Sequence, residues 1–452
     1  MRRALSPQSA RWRWSTWINL RFFVLALGLI LGGSLLIYST AEWLWFEEVG
    51  YLQVFTQRWL TQIGLGVVTF AISGAWLIGQ MQLAHRWRYV APVAALSTQT
   101  KGGLWLRGLL PIAFALAVLL GMMLLYHGQV VREYWQPDLT LYSRSDNLPL
   151  QFRPAAIVEI MRQLAQQQWS VGPILGFAIA LLIYPEQLSL VAAILMSLGF
   201  GLVLSEQWVR VLPWFQPTLF EQVDPLFNRD ISFYVFHLPI LQLVEFWLIG
   251  LFSFSLTAVT LVYFLSGNSL SQGHFPGFST IQKRHICGLS GGLLLVIALG
   301  HWLARYELLY SPRGVTYGAS YTDINVQLPL DLVLVITALV IAVTLLNRAI
   351  FWGMDWQDWW VWLKSTYRDR QLTVPRPMQT RSHRAYPIFY ALGVYLITAT
   401  ILGVFIPASI QSFVVQPNEL ARERPYIERT IEFTRNAFAL NRINSEVFVP
   451  QG

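Results

Sequence analysis

Three side chains able to do chemistry, Asp224, Arg229 and Asp230, fall within seven residues of the stretch DPLFNRDISFYVFHLP, residues 224–239. Two carboxylates beside an arginine suit acid–base or phosphate chemistry only with a nucleophile, a metal set or a phosphate loop in reach, and the adjoining sequence offers none. The stretch instead turns aromatic at Phe233, Tyr234 and Phe236 and enters an apolar run, as a chain does on entering a bilayer through an aromatic belt. The charged trio then pairs internally or with neighbouring loops and organises a surface, with ligand binding as the minority reading.

Glu245 is the one acid placed inside an apolar run, about two turns from its end at ~1.5 Å per residue. A carboxylate at that depth is costly and is by default a candidate for a proton relay or an ion path. The competing reading is a structural ion pair, which Arg305, at similar depth in the next run, would complete. A single acid, where a relay uses several, favours the pair. His301, one turn before Arg305, has the chemistry to ligand a porphyrin or chlorophyll, although a hydrogen-bonded structural histidine is the commoner outcome. The sequence GLSGG at 288–292 matches the nucleophile pattern G-x-S-x-G, but that motif needs a strand, a strained turn and a helix. Here it lies inside an apolar run, where the same glycines read as G-x-x-x-G and let helices approach closely. Cys287 is the only cysteine, which excludes an intramolecular disulfide and a multi-cysteine metal site. The seven histidines show no H-x-x-x-H spacing. These residues point to no catalytic set, no metal and no cofactor, hence to a protein that is not an enzyme.

The elements that must position these residues are membrane spans. The chain is 55% hydrophobic and 12% charged, against about 25% charged in soluble domains. Apolar runs of roughly 17 to 25 residues, long enough to cross a bilayer, recur at 21–42, 60–84, 104–127, 171–185, 188–205, 239–265, 285–304, 330–351 and 387–410. The fold class is therefore all-α, a polytopic transmembrane bundle of about nine spans with amphipathic interfacial helices. The fourth run is short and bracketed by Gly172-Pro173 and Pro185, which suits a tight hairpin or a re-entrant pair with the fifth. The first lacks a convincing cleavage site and reads as a retained signal anchor. Residues 1–410 form the bundle and its outer loops, and 411–452 an extracytoplasmic helical tail.

Charge sets the orientation. With the N-terminus inside, the inner segments hold 18 of the 32 basic residues against four acids, as the positive-inside rule requires. The net charge of +8 follows from topology and calls for no nucleic-acid partner. The expected setting is the bacterial plasma membrane or the thylakoid membrane, N-terminus cytoplasmic and C-terminus extracytoplasmic. FWGMDWQDWWVWLK at 351–364 gathers Trp352, Trp356, Trp359 and Trp360 on one arc, an interfacial helix. RWRWSTW at 11–17 reads as a second anchor, and 153–169 as an outer amphipathic helix starting at Pro154. In the tail, Asn418 is an expected N-cap, Pro425 restarts the helix, and Ile427, Ile431, Thr434 and Phe438 form an apolar stripe.

Four long blocks then carry a resemblance: AEWLWFEEVGYLQVFTQRWLTQ (41–62), DPLFNRDISFYVFHLP (224–239), RYELLYSPRGVTYGASYTDINVQLP (305–329) and FVVQPNELARERPYIERTIEFTRNAF (413–438). In order and content they resemble the signature blocks of Uncharacterised Protein Family 0182, large multi-pass bacterial membrane proteins. The resemblance implies a helix bundle followed by a large extracytoplasmic region, and brings no activity or catalytic residues with it. Similar proteins continue for hundreds of residues beyond the last block, so the expected partners are the lipid bilayer and an extracytoplasmic domain or separate protein on the outer face. Three functions follow from these observations: a scaffold docking that domain or partner; a transporter or channel using Glu245; and an accessory subunit of a photosynthetic membrane complex, which would place pigment near His301.

Overall fold

The computed structural model describes residues 32–34, 36–88, 104–135, 162, 171–265, 274–275, 277–351 and 386–443. The expected first span lies mostly outside these residues, as do the tryptophan-rich segments at 11–17 and 351–364 beyond Phe351 and all of the 153–169 helix except Arg162. Contacts divide the chain into two units, residues 1–65 and 66–452. In the first, the helix over residues 36–48 (α1) carries Glu42, which accepts from the Tyr38 hydroxyl at 2.9 Å and pairs with Arg58 at 3.3 Å.

The remaining helices are α2 (Leu52–Trp87), α3 (Leu106–Trp135), α4 (Val171–Ile183), α5 (Pro185–Ser205), α6 (Trp208–Phe215), α7 (Leu238–Phe264), α8 (Thr280–Glu307), α9 (Leu328–Phe351), α10 (Tyr386–Thr400), α11 (Ile406–Ile410) and α12 (Glu419–Ala437). Leu104–Trp105 pairs antiparallel with His274–Phe275. Among the described residues, seven helices are long and apolar enough to cross a membrane, where about nine were expected. The difference has two sources. One is the first run. The other is α4, whose 13 residues rise only about 20 Å, short of the ~30 Å hydrocarbon core; it turns at Tyr184 directly into α5.

Among the described residues, four π-helical turns interrupt the helices: Phe233–His237, Asp323–Gln327, Ile401–Phe405 and Gln411–Val415. Each stands two residues before a proline: Pro239, Pro329, Pro407 and Pro417. The cause is local. Proline has no N–H to donate and its ring clashes with the carbonyl four residues back, so the ladder widens by one residue to let that carbonyl clear. The N–H preceding each proline then reaches five residues back, as Leu238 to Phe233 O and Leu328 to Asp323 O.

Helix α8 is the centre of the bundle. A Cβ on Gly291 would stand 2.7 Å from Leu346 Cγ and 3.2 Å from the Ala342 carbonyl of α9, so only glycine lets the two helices lie this close. Phe252 of α7 packs on Gly292 from the other side. The motif at 288–292 is thus helical throughout and forms no nucleophile elbow. Indole donors tie α2 to α7: Trp76 Nε1 donates to Ser255 at 3.1 Å and Trp247 Nε1 to Ser73 at 2.8 Å.

One end of the bundle gathers the last turn of α2, the first turns of α5 and α8, and the last of α9. There Ser279 and Gln282 form a capping box, Gln282 Nε2 donates to the Trp87 carbonyl at 3.0 Å, and Arg88 pairs with Glu186. The opposite end carries the loops at 216–232 and 308–322 and the helix α12.

Candidate functional site

The loop at 216–232 is built around Asp224, which is 5% exposed. Its Oδ1 accepts from the Leu226 and Phe227 amides at 2.8 and 2.9 Å, and its Oδ2 from the Arg229 amide at 3.2 Å and the Tyr234 hydroxyl at 2.7 Å. Four donors saturate a carboxylate. Asp224 is consequently a clamp for a tight turn, in which Asn228 takes a positive φ of 53°. Asp230 starts the next helix: its Oδ1 accepts from the Ser232 amide at 2.8 Å and the Phe220 amide at 3.2 Å. The hydrogen bonds from Ser232 favour the ionised form and hold this exposed carboxyl below its ordinary pKa.

Arg229 turns to ring faces, its Cζ 4.6 Å from the Phe233 centroid and 5.5 Å from Tyr306. Arg305 does likewise, 4.2 Å from Trp302 and 5.9 Å from Phe227. Both cations stack on one aromatic cluster with Tyr234, Leu303 and Tyr306 at its core. The structure thus brings Asp224, Arg229 and Arg305 together about these rings, a grouping that spacing alone did not show.

Glu245 is 1% exposed on α7, its carboxylate packed on Gly300 of α8, where any Cβ would collide with Oε1. Next along α8, His301 Nδ1 lies 3.8 Å from Asp331 Oδ1. Asp331, 3% exposed on α9, also accepts from Gln327 Nε2 at 2.9 Å. The reading of Glu245 as the only acid within a span is corrected here: Asp331 is another buried acid in a helix able to cross a membrane. Its sequence signal is the aspartate of LPLDLVLV, at the start of the run at 330–351.

Long-range contacts build the other half of this end. Asp323, fully buried, accepts from the Ser320 amide at 3.1 Å and hydroxyl at 2.7 Å, and pairs with Arg313 at 3.0 Å. The Thr322 hydroxyl donates to Gln411 Oε1. Glu423, 2% exposed and the one buried residue of α12, accepts from the Tyr321 amide at 3.2 and 3.4 Å. Asn325 Nδ2 donates to the Tyr426 hydroxyl at 2.7 Å. The tail therefore docks on Tyr321 and Asn325 through the buried carboxylate of Glu423 and the Tyr426 hydroxyl, about a hundred residues away, which no local pattern signals. Helix α12 runs unbroken through Pro425, where a restart was expected, and Asn418 occupies the N-cap position without a side-chain capping bond. The stripe is half-buried at Ile427 and opens toward its C-terminal end, where Ile431 is 50% and Phe438 74% exposed.

Among the described residues no group of three His, Cys, Asp or Glu side chains is placed to hold a metal. The polar groups at this end bond backbone amides and each other, an arrangement that fixes the loops.

Comparison with known proteins agrees with the four blocks. The model of an uncharacterised protein family, UPF0182, matches residues 19–452. A UPF0182 protein of Nostoc sp. (strain PCC 7120 / SAG 25.82 / UTEX 2576) is 41% identical across 98% of this chain and 44% of its own length. One from Trichodesmium erythraeum (strain IMS101) is 38% identical across 95% and 44%, and one from Synechocystis sp. (strain ATCC 27184 / PCC 6803 / Kazusa) 32% identical across 95% and 43%. The chain thus spans less than half the length of these relatives. No solved structure matches it. On the family match over nearly its whole length, the chain belongs to the uncharacterised protein family UPF0182.

Proposed function

We propose that the chain is a multi-pass membrane scaffold whose loop end, on the extracytoplasmic face, docks an extracytoplasmic domain or partner. One observation carries this reading: α12 is held by a polar anchor, Glu423, while the C-terminal part of its apolar stripe stays uncovered. Glu423 shares a face with Ile427, so the stripe continues the docked face past the loop and leaves its C-terminal part, Ile431 and Phe438, to something else. At the same end of the bundle, Phe215 at the end of α6, Leu219 in the 216–232 loop and Tyr317 in the 308–322 loop are 74%, 68% and 71% exposed. The relatives' additional length is the natural source of such a domain.

The orientation is part of the proposal. Arg86, Arg88, Lys283, Arg284 and Arg348 lie in the helix turns of the opposite end, in keeping with a cytoplasmic position. The setting is a bacterial plasma membrane or, since the relatives named above are cyanobacterial, a thylakoid membrane. We assign the chain no catalytic step.

The test is a photo-crosslinking amino acid at Leu219, Tyr317 or Ile431 in cells, with Val343 on the lipid-facing side of α9 as control. The scaffold reading expects one stoichiometric protein adduct, or an intrachain adduct to a longer product, from the first three positions only. Adducts equally frequent at Val343 would refute it.

Transport is the second reading, favoured by the buried acids Glu245 and Asp331 on either side of α8. If Glu245→Gln in proteoliposomes abolished a proton or cation flux while folding stayed unchanged, that reading would displace the scaffold. The photosynthetic reading has weaker support, because His301 faces Asp331.

A further inference from the structure

At the end of the bundle opposite the loop site, α2, α7, α8 and α9 leave an open groove of about 590 Å³ between them, within the size range of sites for small amphiphiles. Its walls are Trp76, Trp87, Phe252 and Leu289, with Gly288 and Ala349 keeping it wide. A Cβ on Gly288 would come no closer than 3.8 Å to Ala349 Cβ, so this glycine makes room in the groove, unlike Gly291, which serves close packing. The two polar groups in the lining satisfy each other: Gln80 Oε1 lies 2.6 Å from His285 Nε2, whose other ring nitrogen lies 2.7 Å from the Tyr263 hydroxyl.

Arg284 is the exception. It lines the groove and is exposed, its Nε donating to the Ala349 carbonyl at 2.7 Å and its Nη2 to that of Ile350. These bonds cap the last turn of α9 and fix the guanidinium, yet use only two of its five N–H groups. Among the described residues no carboxylate forms an ion pair with it. Lys283 and Arg348 stand in the adjoining helix turns. An apolar slot with a fixed cation at its mouth, between helices able to cross a membrane, has the complementarity of one class of molecule, a negatively charged amphiphile.

We propose that this groove is a binding site for an anionic phospholipid, its acyl chain along Trp76, Phe252 and Leu289 and its headgroup phosphate at Arg284. The site is independent of the docking function and occupies the opposite end of the bundle. A bound lipid would seal a gap between helices and hold α8 against α9 at the cap that Arg284 already makes.

The test is native mass spectrometry of the full chain in mild detergent, titrated with phosphatidylglycerol and with phosphatidylcholine of the same acyl chains. One basic group near a phosphate shifts binding by about fivefold, so the first bound lipid should favour phosphatidylglycerol by about that factor. Arg284→Gln should bring the ratio close to one, and Arg284→Lys, which keeps the charge, should retain most of it. Gly288→Leu, which fills the groove, should reduce first-lipid binding of both lipids; if that variant fails to fold, Ala349→Leu narrows the same space from the other wall. An unchanged lipid ratio in Arg284→Gln, or undiminished binding in a folded groove-filling variant, would overturn the proposal.

Discussion

Replacing Glu423 by alanine should undock the tail helix while leaving the bundle intact. Glu423 is the only buried residue among the 19 of α12, so little apolar burial holds this helix in place. Its carboxylate accepts the Tyr321 amide at 3.2 and 3.4 Å. A hydrogen bond to a charged group contributes about 1.5–3 kcal/mol. Alanine also strands the Tyr321 amide, at a similar cost if water cannot reach it. Taking the bond alone, local opening of α12 should rise by about ten- to a hundredfold. Hydrogen exchange by mass spectrometry on the detergent-solubilised protein reads this directly: peptides covering 419–437 and 319–323 should exchange faster by that factor, with those of α7 and α8 unchanged. Glu423→Gln keeps an acceptor oxygen and should show a smaller effect. Arg424→Ala is the control on the same helix, because its ion pair with Glu428 at 3.0 Å joins side chains 75% and 63% exposed, a class that contributes no more than about 0.5 kcal/mol. Should Glu423→Ala exchange like Arg424→Ala, within about twofold of wild type, then the tail is held by something other than its buried carboxylate and the docking argument fails.

Asp224→Asn should destabilise the 216–232 loop by about 2–4 kcal/mol, since one oxygen becomes an NH2 group facing donors and leaves some of the four bonds unmade; trypsin cleavage after Arg229 should accelerate, whereas a binding role without structural weight would leave it unchanged. Gly291→Ala should cost about 1–3 kcal/mol through overpacking against Leu346 and the Ala342 carbonyl, while Ser290→Ala next to it, a buried hydroxyl without a hydrogen-bond acceptor among the described residues, should be neutral or slightly stabilising. Thermal unfolding in detergent separates the two, and equal losses would contradict the packing described for α8. Acid should act on the same loop through Asp230, whose folded carboxyl titrates below its ordinary 3.8. A depressed pKa contributes stability that is complete above the unfolded value and is lost as pH falls through the folded one. Exchange at the Ser232 amide, corrected for its intrinsic pH dependence, should therefore be flat from pH 7 to 5 and rise only below about pH 4; a rise at pH 6 would point to another group.

Composition and the length of apolar runs were enough to determine an all-α chain able to cross a membrane repeatedly, because burying backbone in lipid leaves the helix as the solution available to such runs. Block content was enough to assign the family. Local sequence also carries two further signals. One is the aspartate in LPLDLVLV; the other is the X-Pro step at Pro239, Pro329, Pro407 and Pro417, where a missing N–H and a ring clash favour a π turn, although the helices at Pro111, Pro213 and Pro425 accommodate proline without one. What only the tertiary structure decided were the partners. Arg305 was the natural mate for Glu245 by depth, but a helix presents a given depth on several faces, and the face Arg305 occupies meets Trp302 and Phe227. Asp224 looked like half of a reactive pair until four donors from its own turn and from Tyr234 were seen to saturate it. Glu423 and Tyr321, like Gln411 and Thr322, meet across about a hundred residues, a separation over which periodicity carries no information and only the path of the chain through the bundle sets which groups face each other.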